Sequence, residues 1–138
     1  MEVNWIAVVV AALVPMLVGF VWYHPKVMGT VWMKETGLTE EDLEKGNMPM
    51  IFGISFVMAF LLAGFWNVNV TGPGQEDVQF HTFQHGLAHG LILTLTVILP
   101  LVVTNGLFER KSWTYILVNA GYWCITFCIG LGILSWWR

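Results

Sequence analysis

Three histidines recur every fourth residue: His81, His85 and His89. On a helix, positions four apart share a face. Neutral imidazole is a good ligand for zinc, copper, iron or nickel. An ionisable group inside an apolar helix is a functional candidate in its own right. The only cysteines, Cys124 and Cys128, are also four apart. If the two helices run in opposite directions, Cys128 comes to a depth similar to that of His89. Three kinds of chemistry then stand open. His85 and His89, with or without Cys128, could hold a transition metal or haem. His81, His85 and His89, with Asn67 and Gln84 nearby, could form a polar proton or substrate site. Alternatively the imidazoles only bond across a helix contact made by Gly86 and Gly90, a small-xxx-small pair on a neighbouring face. The structural reading ranks first, with no cofactor and no enzymatic activity expected. The sequence holds no Ser/His/Asp arrangement, phosphate-cradling glycine loop, CxxC pair or haem-attachment run.

The elements that must carry these residues are set by composition. Of the 138 residues, 57 % are hydrophobic and 11 % charged, and the mean hydropathy is +0.68. Soluble domains carry about 25 % charged residues. A net charge of −3 with six basic side chains cannot build a surface for nucleic acid. The apolar residues form four blocks, at about 3–23, 48–70, 83–104 and 113–137. Each is long enough to cross a hydrocarbon core of roughly 30 Å. In lipid such segments must be helices, because each backbone N–H and C=O needs an internal partner. The expected fold is therefore all-α. It is an integral membrane bundle of four transmembrane helices, forming a single domain over 1–138. Pro15 and Pro100 fall inside two spans and predict kinks.

Charge sets the expected sidedness. Loops 24–47 and 105–112 hold Lys26, Lys34, Lys45, Arg110 and Lys111, and the opposite side holds only Arg138. The positive-inside rule makes those loops cytoplasmic and both termini external. Trp and Tyr crowd the span ends, as in an aromatic belt. The first block has no basic leader and reads as a retained anchor. In loop one, Val27, Met28, Val31 and Trp32 suit the headgroup zone, and Thr39 to Lys45 reads as a short capped helix ended by Gly46. Tyr23, His24, Asn105, Glu109, Arg110, Asn119 and Tyr122 gather at the cytoplasmic face by the same topology.

The spacing of Trp22, Tyr23, Pro25, Gly29 and Trp32, followed by Gly37-Leu38-Thr39-Glu40-Glu41-Asp42-Leu43, resembles a known family. Its members are small bacterial four-span proteins, called domain of unknown function 1761. Asn105 to Lys111, Asn119-Ala120-Gly121-Tyr122, Gly130 and the Trp136-Trp137 pair extend the resemblance over nearly the whole chain. It does not extend to the histidine series. The resemblance implies a bacterial inner-membrane protein and no particular activity. The motif Trp22, Tyr23, Pro25, Gly29 and Trp32 reads first as a structural device that turns the chain back to the interface. Asn105, Glu109, Asn119 and Tyr122 complete an inner-face motif. The favoured function is a non-enzymatic subunit acting on lipid and on a membrane partner or further copies of itself. The alternatives are a small homo-oligomeric transporter or channel, or a metal- or haem-dependent redox protein.

Overall fold

The computed structural model describes residues 3–138, and among these it is helical without a strand. Four helical rods are long and apolar enough to cross a membrane. They are α1 (Trp5–Trp22), α4 (Met48–Thr71), α5 with α6 (Phe83–Leu93 and Leu99–Phe108), and α7 (Trp113–Trp136). Alternation puts the first and third loops at one end, here the loop-one end. The second loop and the C-terminus share the other, the loop-two end. Third-block helix runs on to Phe108, past the expected 104.

Each rod begins where a polar side chain satisfies the free N–H groups of its first turn. Asn4 accepts from the Ala7 amide at 3.1 Å, and Asn47 accepts from Met50 at 3.2 Å. Thr82 accepts from His85 at 3.2 Å, and Ser112 accepts from Tyr115 at 3.0 Å. Small side chains then decide which faces meet. α1 buries Ala7, Val8, Ala11, Ala12 and Val14, and α4 buries Ala59, Ala63, Asn67 and Val70. α7 is the centre of the bundle, touching α1, α4 and α5, and it buries residues along its whole length. α5 lies closest to it. A Cβ at Gly86 would strike the Leu131 carbonyl, and one at Gly90 would sit 2.7 Å from the Cys128 Cα. Only glycine permits two backbones to approach this closely.

The two prolines act differently. α1 runs unbroken past Pro15. In the third span, Pro100 offers no N–H to the Thr96 carbonyl, and a π-helical turn over Thr94–Ile98 precedes it. Threonine hydroxyls in that turn reach back one turn, Thr94 to the Gly90 carbonyl at 2.8 Å and Thr96 to Ile92 at 2.6 Å.

Loop one is built from short pieces. A π-helical turn (Pro25–Gly29) leads into α2 (Thr30–Thr36), which Gly37 ends with φ of +73°. α3 (Glu40–Glu44) starts with a reciprocal capping box between Thr39 and Asp42. The Thr39 hydrogen bonds hold the exposed Asp42 carboxyl below its ordinary pKa. Loop two contains a single 3-10 turn, Val78–Phe80.

Candidate functional site

Polar and aromatic side chains collect at both ends of α7. At the loop-two end the organiser is Arg138. Its Nε donates to the Ser135 carbonyl at 3.1 Å, and its Nη2 donates to Phe80 at 3.0 Å. The same guanidinium also donates to the carbonyls of Gln75 and Val70. One side chain thus ties together the ends of α7 and α4 and both halves of loop two. Ser135, fully buried, donates its hydroxyl to the Phe80 carbonyl at 2.9 Å. Asn4 reaches the Trp137 carbonyl at 3.2 Å. Burial lowers the Arg138 pKa and nearby Glu76 opposes that shift. Arginine stays charged regardless.

The histidines sit beneath this tie. The His85 ring lies 4.8 Å from Phe80 and 4.5 Å from His89. His85 Nε2 and Gln75 Oε1 are buried and form no hydrogen bond among the described residues. His85 and His89 are therefore brought together, and His81 is half-buried just before α5. Gln84 is exposed, and Asn67 is buried in α4. The Cys128 thiol points to the Leu87 carbonyl at 3.8 Å, and both cysteines are free. Among the described residues no three of His, Cys, Asp and Glu are grouped to hold a metal ion. What this end can do chemically is hydrogen bonding and proton exchange through two adjacent imidazoles. Sequence reasoning missed Arg138, Gln75, Phe80 and Ser135. The available signal was a lone cation beyond an apolar rod, which needs acceptors wherever it is drawn in.

At the loop-one end, an aromatic clamp fastens α1 to α7. The Trp22 indole donates to the Val118 carbonyl at 3.0 Å, and Gly121 makes room for its ring. The Tyr23 hydroxyl donates to Asn119 Oδ1 at 2.8 Å, while Asn119 Nδ2 donates to the Tyr115 carbonyl at 3.1 Å. The Tyr122 hydroxyl crosses to the Pro15 carbonyl at 2.9 Å. The Tyr23 ring meets Trp32 at 5.5 Å and Tyr122 at 5.3 Å. Pro25 opens the π-helical turn, His24 Nδ1 accepts from the Lys26 amide at 3.2 Å, and Gly29 closes the turn against the Tyr23 carbonyl. Any side chain at Gly29 would collide with that backbone. The clamp thus contains Trp22, Tyr23, Pro25, Gly29, Trp32, Asn119 and Tyr122. Asn105, in the last turn of α6, and Glu109, just after its end, are exposed, outside the clamp's described hydrogen bonds. One further link joins loops one and three, where Ser112 donates to Glu35, and Lys111 lies over the Tyr115 ring at 5.3 Å at the start of α7.

Tyr23→Phe is expected to cost roughly 1 kcal/mol, one hydrogen bond's worth. Thermal melts of both proteins check the effect.

Residues 6–135 match the family model described as Protein of unknown function (DUF1761). The chain belongs to that family. No curated protein and no solved structure matches it significantly. The matched stretch of this DUF1761 protein contains the whole aromatic clamp and both paired imidazoles. Arg138 lies just beyond it. The polar tie at the loop-two end is thus fastened from outside the region that the family model describes.

Proposed function

We propose that the protein is a non-enzymatic membrane subunit that works by packing side by side with a second copy of itself. The observation that carries this reading is the first half of α4. From Met48 to Met58 every residue is exposed except the half-buried Phe56. α4 buries residues only from Ala59 onward: Ala59, Ala63, Asn67 and Val70. Of the preceding three turns only Phe56 packs against the core, and the rest of their surface is uncovered. A Cβ at Gly53 would meet nothing within 4 Å, whereas Gly86 and Gly90 lie against a neighbouring backbone. In lipid, helices associate through close packing rather than through the hydrophobic effect, and glycine admits the closest approach. A two-fold pair, the commonest symmetry, would bring Gly53 of one copy against the same face of the other.

The surrounding bilayer in this reading is a bacterial inner membrane. Loops one and three face the cytoplasm and both termini face outward, supported by five basic side chains at the loop-one end against Arg138 at the other. Cysteine cross-linking along Met48–Met58 in native membranes tests the pairing. A two-chain band is expected for Gly53→Cys and none for a cysteine at buried Val8. A lone monomer that moves a solute when reconstituted would overturn the reading in favour of a transporter.

A further inference from the structure

A small cavity of about 30 Å³ lies where α1, α4 and α7 cross. Its lining includes Ala11, Pro15, Ala63, Trp66, Thr126 and Phe127. Thr126 is 13 positions into α7, roughly 20 Å along it at 1.5 Å per residue. It therefore sits deep between the two ends. Two features make the cavity polar despite its apolar walls. Thr126 is 4 % exposed, and its Oγ1 is buried with no hydrogen-bond partner among the described residues. Pro15, without an N–H, leaves the Ala11 carbonyl lacking its usual donor one turn on.

Other threonines in helices here avoid this situation. Thr36, Thr71, Thr94 and Thr96 each donate to the carbonyl four residues back. Thr126 does not. A buried hydroxyl without a partner costs about 1–3 kcal/mol. A single water needs roughly 10–15 Å³ and two or more polar partners. The cavity offers both.

We propose that this cavity is a binding site for one water molecule in the membrane interior, bridging the Thr126 hydroxyl to the Ala11 carbonyl freed by Pro15. The water completes the broken turn of α1 and ties it to α7 at mid-depth, between the aromatic clamp and the Arg138 tie. It gives a partner to the Thr126 hydroxyl, which forms no hydrogen bond among the described residues, and to the freed carbonyl. The site does not depend on self-association.

The test is water contact at the Thr126 methyl, read by nuclear magnetic resonance on methyl-labelled protein in deuterated detergent. A cross-peak between bound water and that methyl is expected, with none at the Val8 methyls, which are buried away from the cavity. Thr126→Val is expected to remove any slowly exchanging water there and to lower the melting temperature by about 3 °C. Pro15→Ala restores the missing N–H, so the same Thr126→Val change should cost less in that background. If the double variant fails to fold, the wild-type cross-peak still decides. A folded protein with no water contact at Thr126 overturns the proposal. So does a Thr126→Val protein that melts higher than wild type, which would mark a dry, unpaired hydroxyl.

Discussion

Gly86→Ala is expected to lower the melting temperature by roughly 10 °C, and Gly86→Leu to leave little folded protein. A Cβ at Gly86 has no flexible side chain to push aside, because it faces the Leu131 carbonyl and the Gly132 Cα. Gly90 faces the Cys128 Cα and N in the same way. Relief requires α5 to move away from α7, which opens the closest contact in the bundle. That movement would also displace His85, His89 and the Phe83 ring, which fills the space beside Gly132. Overpacking costs about 1–3 kcal/mol when side chains yield. Here backbone must yield, and the cost belongs at the upper end. The matched control is Gly64→Ala, where a Cβ meets nothing within 4 Å and the change should be near neutral in the single chain. Melts of Gly86→Ala and Gly64→Ala in one detergent measure the difference. Equal melting temperatures would mean that α5 and α7 do not meet through Gly86.

The second large effect is expected at Arg138. Arg138→Met keeps an apolar stem, leaves the carbonyls of Ser135, Gln75 and Val70 without their donor, and leaves Phe80 with only the Ser135 hydroxyl. Hydrogen bonds from a charged group contribute about 1.5–3 kcal/mol each, but bonds to one side chain do not add. A net loss on the order of 3 kcal/mol is expected. It should be local. Amides of loop two, from Gly72 to His81, should exchange with solvent at least tenfold faster, while the aromatic clamp at the other end is unchanged. Arg138→Lys should recover less than half of the protection, since one ammonium cannot match the guanidinium fork. Hydrogen exchange read by mass spectrometry checks both variants. Unaltered protection in loop two would show that the tie does not hold it.

The spans were legible because lipid imposes a length and an apolarity that composition alone reveals. Their limits moved little, and the extension to Phe108 came at a run whose Asn105 and Gly106 look like a turn. Thr39 and Asp42 announced their own helix, since a capping box is local. The aromatic clamp was half legible. Trp22, Tyr23, Asn119 and Tyr122 could be placed at one membrane face, but not paired: Trp22 and Tyr122 bond to the distant carbonyls of Val118 and Pro15, and Tyr23 meets Asn119 only once α1 packs on α7. Asn105 and Glu109 share that face, yet helix rotation leaves them exposed. At the other end the histidine spacing was plain. The sequence marks Arg138 only as a charge, because its role depends on loop two folding back over α7. A sequence carries no mark for backbone acceptors brought together from Val70, Gln75, Phe80 and Ser135.

Pairing through the free half of α4 is tested most directly by the cysteine scan, carried through every position from Met48 to Met58 in membranes at native expression. The account predicts intermolecular cross-links that peak at Gly53 and recur three or four positions away, on one helix face. A flat pattern, or no two-chain band at any position while the protein remains folded, would contradict it.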